Sequence, residues 1–232
     1  MDIDKFQNCS AILLDFGGTL DSDGEHWLDR TYDLYREAGL DIPQAEIKRV
    51  FYATDDLCCK DPAVNAMGLR QLMEYHIRLQ FHQLGMKDAH KKKAMIESFC
   101  RKTENYLQRN SRILSRLKNR YRLGVVSNFY GNVKVLCEAA GLSVSLDVIL
   151  DSIRLGIGKP DPEIFWTALR MLDTAPEKAI FVGDSYERDM IPARNIGLKT
   201  IWLKGPNPRK PENAGPVDGI ITSLSELEAL VL

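Results

Sequence analysis

Short runs of apolar residues alternate with longer amphipathic stretches along much of this 232-residue chain. The run from Ile12 to Phe16 is almost wholly apolar and is closed by glycines, a pattern typical of a buried strand. From Arg122 onward five further runs predict strands, and helical patterns separate most of them: RLGVVSN, LDVIL, KAIFVGD, KTIWL and DGIIT. This alternation predicts an α/β fold, a doubly wound parallel sheet with helices on both faces.

Residues 21–109 interrupt this rhythm. They contain no comparable strand pattern, and four stretches have helical periodicity: HWLDRTYDLYREAG, QAEIKRVFYAT, LRQLMEYHIRLQFHQLG and DAHKKKAMIESFCRKTENYL. We therefore expect a helical unit inserted after the first strand. A proline-rich segment between Lys204 and Gly219 predicts a surface loop.

The composition narrows the range of partners. With 31 basic and 32 acidic residues the formal net charge is −1, so no overall field attracts nucleic acid or an anionic membrane. The segment MDIDKFQNCS lacks the apolar stretch of a signal peptide, and no apolar run approaches membrane-spanning length. The five cysteines, including the adjacent Cys58–Cys59, have no CxxC spacing and are interpreted as reduced thiols. We expect a cytoplasmic protein without nucleic-acid or membrane partners; its oligomeric state stays open.

Polar residues follow three of the predicted strands. Asp15 ends the first strand and precedes Gly17 and Gly18, Ser127–Asn128 end RLGVVSN, and Asp184 ends KAIFVGD. The carboxyl ends of parallel strands meet at one edge of the sheet, which is where α/β sheets bind ligands. Taken singly, each residue is more often a cap or turn residue, but their order favours a common site.

These residue types suit a phosphoryl group beside a metal ion. Asp15 and Asp184 would repel each other unless a cation lay between them, and a hard cation with oxygen ligands, most simply Mg²⁺, meets that need. Glycines after Asp15 leave backbone N–H groups accessible to an anion. Ser127 adds a hydroxyl donor, and Lys159, in the turn GIGKPDP, adds a positive charge.

The chain resembles the haloacid dehalogenase superfamily of hydrolases, most of which are phosphatases. Four motifs occur in the family's order and span nearly the whole chain: Asp15 with Gly18–Thr19–Leu20, Ser127–Asn128, Lys159–Pro160, and Gly183–Asp184–Ser185 with Asp189. The resemblance implies a Rossmann-like core domain of residues 1–20 and 110–232 and a helical cap domain of residues 21–109. It also implies Mg²⁺-dependent hydrolysis of a small phosphorylated metabolite.

The resemblance also implies a role for each matching residue. Asp15 would be the nucleophile and form an aspartyl-phosphate. Ser127 and Lys159 would complete the catalytic set by holding the phosphoryl oxygens. Substrate contacts are expected from Gly18, Thr19 and Asn128. The expected metal ligands are Asp15, the carbonyl of Gly17, Asp184 and Asp189.

Gly17 departs from the family's phosphatases, which have an aspartate two residues after the nucleophile. That aspartate protonates the leaving group and then activates water, and a positioned acid–base contributes roughly 10²–10⁴-fold in rate. Glycine keeps the carbonyl but offers no proton, so we expect slow or specialised turnover. The candidates to replace the missing acid lie in DSDGEHW: Asp21, Asp23, Glu25 and His26. Residues of these types in such a segment are more often turn and cap residues.

Two alternatives stay open at this point. One is a non-catalytic or regulatory module that binds a phosphorylated ligand, with Gly17 marking lost chemistry. The other is a phosphonatase-like carbon–phosphorus hydrolase, since that group has a small residue and "GT" after the nucleophile. It needs a cap lysine that forms a Schiff base, and Lys48 and Lys60 lie in surroundings unlike that cap. Haloacid dehalogenases themselves usually lack the acid found here as Asp184.

Overall fold

The computed structural model describes residues 3–209 and 215–232. Six parallel strands form one sheet in the order β3-β2-β1-β4-β5-β6. Their bounds are Ala11–Leu14 (β1), Arg122–Ser127 (β2), Val148–Asp151 (β3), Ala179–Gly183 (β4), Lys199–Leu203 (β5) and Gly219–Ile221 (β6). All six predicted strands are therefore confirmed, each within a few residues of its apolar run.

Helices connect and cover these strands. Their bounds are Trp27–Glu37 (α1), Gln44–Lys60 (α2), Leu69–Gln83 (α3), Ala89–Leu117 (α4), Val133–Ala139 (α5), Ser152–Leu155 (α6), Pro162–Met171 (α7), Ile191–Asn195 (α8) and Leu227–Val231 (α9). Side-chain caps fix several of the N-termini, because Ser, Asp and similar residues accept from the otherwise unpaired N–H groups of a first turn. Asp88 and Asp161 do this for α4 and α7.

The two faces of the sheet bury separate apolar cores. Along β1, Ile12 and Leu14 point to one face and Ala11 and Leu13 to the other, and all four are fully buried. Helices α4, α5 and α9 cover the first face, whereas α7 and α8 cover the second. Each apolar side chain buried in this way contributes about 1.5–3 kcal/mol relative to exposure. The predicted doubly wound arrangement, an α/β fold, is confirmed.

Residues 21–109, all of which the structure describes, form helices and loops and contain no strand. Helix α4 runs unbroken from this segment into the α/β part, and its last turns pack under the sheet through Ile113, Leu114 and Leu117. The boundary at residue 109 between a core and a cap domain stays a prediction.

Two further observations concern the chain as a whole. In the part of the chain that the structure describes, no helix combines the length and apolarity needed to cross a bilayer. The predicted proline-rich loop has no helix or strand in residues 204–209 or 215–218, and residues 210–214 of it lie outside the described residues.

Candidate active site

The predicted site residues come together where the strand order reverses. Strand β1 pairs with β2 on one side and with β4 on the other, so the chain winds away from β1 in both directions. Such a reversal leaves a crevice at the carboxyl ends of the strands. Asp15 follows β1 directly and Asp184 follows β4 directly, so these two carboxylates flank the crevice.

Three carboxylates converge in this crevice. One ligand atom each from Asp15, Asp184 and Asp189 lies within 4.8 Å of the others. Burial, together with the charges of Asp15 and Asp189, raises the pKa of Asp184 well above its usual range. Burial also raises the pKa of Asp189 to about 6, although Lys159 opposes the shift. The cluster therefore carries more negative charge than its surroundings compensate.

Lys159 supplies the positive charge within the cluster. Its Nζ lies 2.9 Å from Oδ1 of Asp15 and 2.7 Å from Oδ1 of Asp189, and the lysine side chain is only 2% exposed. Asp15 and Asp189 raise the pKa of Lys159 above its usual value even though burial opposes this. The lysine is thus held as a cation between two of the three carboxylates, and Asp184 has no such ion pair among the described residues.

Asn128 holds the backbone of Lys159 in place. Its Nδ2 donates to the Lys159 carbonyl at 2.7 Å, and its Oδ1 accepts from the Lys159 N–H at 2.7 Å. Both ends of the amide are therefore occupied. The structure gives Asn128 a positioning role, and its predicted contact with substrate stays a prediction.

Gly18 is required by the close approach of Asp184. It has a φ of +83°, and a Cβ there would lie 2.6 Å from Cγ of Asp184. Thr19 donates from Oγ1 to Oδ1 of Asp184 at 3.3 Å. The backbone turn after Asp15 thus fits against the second carboxylate, and these contacts account for Gly18 and Thr19 before any substrate is considered.

Gly17 has an ordinary backbone but a crowded side-chain position. Its φ of −71° and ψ of 122° suit any L residue. A Cβ at this residue would lie 3.3 Å from the Phe129 ring and 3.8 Å from Nε1 of Trp27. Aromatic side chains therefore occupy the space next to the residue where the family's phosphatases have an acid.

A cavity of about 630 Å³ opens from this cluster toward residues 21–109. The predicted site residues that line it are Asp15, Gly17, Asn128, Lys159, Asp184 and Asp189. Aromatic side chains form much of the remaining wall: Trp27, Phe51, Tyr52, Phe129 and Tyr130. Ser127, Gly18 and Thr19 are not part of the lining.

Ser127 is buried at the carboxyl end of β2 and is 1% exposed. Its Oγ makes no hydrogen bond to any described residue. Because buried hydroxyl groups are normally paired, this oxygen has capacity for a partner that the chain does not supply.

Two of the four residues that could replace the missing acid are already held by hydrogen bonds and ion pairs with other residues. Asp21 is fully buried and accepts from the Gly18 N–H at 2.7 Å, from Trp27 Nε1 at 2.5 Å and from Arg30 at 3.0 Å. Asp23 forms a two-pronged ion pair with Arg109, at 2.7 Å for each nitrogen. Neither side chain lines the cavity, and their partners give them a structural role.

Glu25 also lies outside the cavity lining, whereas His26 is part of it. His26 caps α1, since its Nδ1 accepts from the Leu28 N–H at 3.1 Å. Burial and the guanidinium groups of Arg209 and Arg188 lower the pKa of His26 to about 4. The imidazole is therefore neutral near pH 7 and carries its proton on Nε2.

Asp55 and Arg188 are among the cavity residues that the sequence did not identify. Asp55 of α2 accepts a hydrogen bond from the hydroxyl of Tyr130, and burial raises the pKa of its carboxyl. Arg188 directly precedes Asp189 and also lines the cavity. An acid inside an amphipathic helix and an arginine in a turn are common surface features, so no pattern in the sequence marks them.

The lysines that a phosphonatase would need are placed elsewhere. Lys48 is exposed, and Lys60 pairs with Asp56 on the surface of α2 at 2.6 Å. Neither lines the cavity, where Lys159 is the lysine present among the described residues. Cys59 does line the cavity, but burial raises the pKa of its thiol to about 11, so it is not a thiolate near neutral pH.

The sequence of this chain is similar to those of known proteins. The family model for haloacid dehalogenase-like hydrolases matches residues 9–197. The chain is 32% identical over 159 residues to bovine (Bos taurus) haloacid dehalogenase-like hydrolase domain-containing protein 3, covering 65% of this chain and 63% of the relative. It is 30% identical over 121 residues to the pyrimidine 5'-nucleotidase YjjG of Escherichia coli, covering 51% and 53%.

One solved structure, described as a dehalogenase with an intermediate complex, is similar with a TM-score of 0.65 at 20% identity and covers 97% of this chain and 98% of its own. At this identity the likeness concerns the fold alone. The matched segments span less than two thirds of the two curated relatives. Because the family model covers most of the chain and its motifs meet at one sheet edge, the protein belongs to the haloacid dehalogenase-like hydrolases.

Proposed function

We propose that this hydrolase is a Mg²⁺-dependent phosphatase that acts on a small phosphate monoester through an aspartyl-phosphate on Asp15. The observation that carries the proposal is the placement of Asp15 within one carboxylate cluster with Asp184 and Asp189, in contact with the buried Lys159. A lysine for charge compensation beside a carboxylate nucleophile suits phosphoryl transfer. The relative named as a nucleotidase also acts on a phosphate monoester, which supports this choice.

The contacts of Asp15 distinguish its two oxygens. Oδ1 accepts from the Phe16 N–H at 2.7 Å and pairs with Lys159 at 2.9 Å. Oδ2 is therefore the oxygen we assign to attack. Its bond to phosphorus forms as the ester P–O bond breaks, and the electron pair leaves with the alcohol oxygen. Water then adds to the phosphorus as the P–Oδ2 bond breaks, which releases inorganic phosphate and restores the carboxylate. The proton that the water loses balances the one that the alcohol oxygen gains from solvent.

The cluster fits a divalent cation. Three carboxylates meet in a buried crevice, the pKa of Asp184 is strongly raised, and Lys159 pairs with only Asp15 and Asp189 among the described groups. A hard cation with oxygen ligands would remove this repulsion. Asp15, Asp184 and Asp189 would hold Mg²⁺, with the carbonyl of Gly17 as a further ligand. When bound, Mg²⁺ would offset the charge on the phosphoryl oxygens.

The remaining residues have supporting roles in this proposal. Lys159 and the unpaired hydroxyl of Ser127 would contact phosphoryl oxygens. Asn128 orients Lys159 through its two hydrogen bonds. Residues 21–109 would act as the cap that admits substrate and then excludes water. Because no acid stands at Gly17, the leaving group would depart largely unassisted.

A panel of phosphate monoesters, aryl phosphates and a phosphonate, assayed with Mg²⁺ and with EDTA, tests the proposal. We expect Mg²⁺-dependent release of phosphate by the wild type and none by Asp15→Asn, which keeps the size of the side chain. Mass spectrometry of quenched wild-type reactions should show one added phosphoryl group on Asp15. Hydrolysis that persists in Asp15→Asn, or no phosphate release from any compound, would overturn it.

A further inference from the structure

The cavity lining also includes a set of basic groups that are not part of the carboxylate cluster. It consists of Arg188, which directly precedes Asp189, of Arg209 in the loop after β5, and of His26 at the start of α1. All three line the same cavity as Asp15. We call this set the arginine end of the cavity.

The two guanidinium groups lie close enough to His26 to act on it. Both are among the charges that lower the pKa of His26 to about 4, after burial itself. The Nδ1 of the imidazole accepts from the Leu28 N–H, so its Nε2–H remains as a donor. The arginine end therefore offers two guanidinium groups, both on exposed side chains, and a neutral N–H donor.

Lys159 is paired with two carboxylates, whereas the positive charge of Arg188 has no such partner among the described residues. Arg209 pairs with Asp29 at 2.8 Å. Among residues 3–209 and 215–232, Arg188 has no carboxylate within ion-pair distance. Asp55 also lines the cavity, and the charge of Arg188 lowers its pKa against the larger effect of burial, but its carboxylate accepts a hydrogen bond from the Tyr130 hydroxyl. The neighbouring Glu187 is exposed.

We infer that the arginine end binds a second anionic group of the substrate, with Arg188 as its principal contact. The inference rests on the proposed function, which places the phosphoryl group at Asp15. The substrate class is then a small phosphate monoester that carries a carboxylate or a second phosphate. A planar guanidinium recognises either group through paired N–H donors.

The geometry explains why a phosphatase would keep a free arginine here. Arg188 is adjacent to Asp189, the proposed metal ligand, so the metal site and the second anion site would share one short backbone segment. A substrate with only one anionic group would leave the guanidinium exposed to water.

Two matched pairs of compounds test this inference. The first pair is 3-phosphoglycerate and glycerol 1-phosphate, in which a hydroxymethyl group replaces the carboxylate. The second is propane-1,3-diyl bisphosphate and 3-hydroxypropyl phosphate, which differ by a second phosphate. With Mg²⁺ present, we expect the wild type to favour the compound with two anionic groups in at least one pair, by tenfold or more in kcat/KM. The pair that shows the preference identifies the second anion.

Arg188→Ala should reduce that preference by about ten- to a hundredfold, mainly through KM, since charge-assisted hydrogen bonds are lost. Arg188→Lys should keep part of it, because the charge remains without the fork. Arg101→Ala, an exposed arginine on α4 outside the cavity, is the control and should leave it unchanged. A wild type without preference in either pair, or an unchanged preference in Arg188→Ala, would overturn the inference.

If none of these four compounds, all of them alkyl phosphates, is hydrolysed, the aryl phosphates of the panel still test the proposed function, and binding still tests the inference. Calorimetric titration of the same compounds with Mg²⁺ present then gives the preference as a ratio of Kd values. The same tenfold preference and the same loss in Arg188→Ala are expected. Equal Kd values within both pairs, for a correctly folded wild type, would contradict it.

Discussion

The ring of Phe129 lies over Gly17, at 3.3 Å from the position of a Cβ on that residue. The crowding comes from a side chain and not from the backbone, whose φ of −71° accepts any L residue. We therefore expect Gly17→Asp alone to gain little activity, because the ring must move before the new carboxylate can reach the leaving group.

Gly17→Asp combined with Phe129→Leu should provide the room and restore the acid. On an alkyl phosphate, the rate of turnover should rise by up to roughly 10²–10⁴-fold over the wild type. Phe129→Leu alone is the matched control, and circular dichroism checks the fold of each variant. A folded double variant without any gain would mean that an acid at residue 17 is not what limits turnover.

The kcat/KM of the wild type should depend steeply on the stability of the leaving group. Without a proton donor at Gly17, the aryloxide of an aryl phosphate leaves as a stabilised anion, whereas the alkoxide of an alkyl phosphate is a poor leaving group. A series of phosphate esters whose alcohols span several pKa units should give a strongly negative slope of log kcat/KM against that pKa. Alkyl phosphates hydrolysed as fast as aryl phosphates would indicate that another group supplies the proton, and Asp55 and His26, which line the cavity, would be substituted first.

The sequence predicts those parts of the site that depend on strand ends, and it does not predict those that depend on contacts between distant residues. The convergence of Asp15 and Asp184 was predictable, because both end apolar runs and parallel strands align their carboxyl ends. The ion pairs of Asp21 and Asp23 were not predictable, because Arg30 and Arg109 contact them only in the folded chain. Tertiary pairing of this kind leaves no periodic signal.

The same reason explains the residues that sequence inspection missed. Asp55 occupies a helix whose charged positions look like an ordinary solvated face, and only the fold brings the Tyr130 hydroxyl to it. The end of α4 shows the limit for element boundaries. The apolar positions that continue to Leu117 belong both to a long helix and to the core beneath the sheet, so the pattern does not mark a border at residue 109.

Asp184→Asn should stabilise the metal-free protein while weakening its response to Mg²⁺. The folded-state pKa of Asp184 is raised by burial and by two neighbouring carboxylates, so ionising it near pH 7.5 costs stability. The amide removes that charge together with one of the expected ligands. We expect a higher Tm in EDTA than for the wild type and a smaller rise in Tm on adding Mg²⁺.

Asp41→Asn, an exposed position, serves as the control for that measurement and should match the wild type in both conditions. An Asp184→Asn protein that gains as much Tm from Mg²⁺ as the wild type would contradict the metal assignment. A lower Tm in EDTA would contradict the argument from charge repulsion.

Asp21→Ala should destabilise the fold strongly. It would leave the buried guanidinium of Arg30 without its carboxylate and would free the Trp27 Nε1–H and the Gly18 N–H. Breaking a buried ion pair in this way costs about 3–5 kcal/mol in the free energy of unfolding. Asp56→Ala, which breaks the exposed pair with Lys60, is the control and should cost about 0–1 kcal/mol in urea titrations. Similar losses for the two variants would show that the Asp21 cluster is not structural.

His76 should make the stability of the protein fall in acid. It is buried on α3, with its Nδ1 2.6 Å from Nε2 of Gln80, and burial lowers its pKa from 6.5 to about 3. Below about pH 6.5 the unfolded chain therefore binds a proton at His76 that the folded chain does not bind. The contribution of His76 to the free energy of unfolding is present in full above that pH and is lost as the pH falls toward 3. One such group adds at most about 1.4 kcal/mol per pH unit to the slope. In urea titrations from pH 8 to 4, His76→Gln should flatten the slope by that amount, whereas the exposed His90→Gln should flatten it less. Equal slopes in the wild type and in His76→Gln would mean that His76 gains its proton without unfolding.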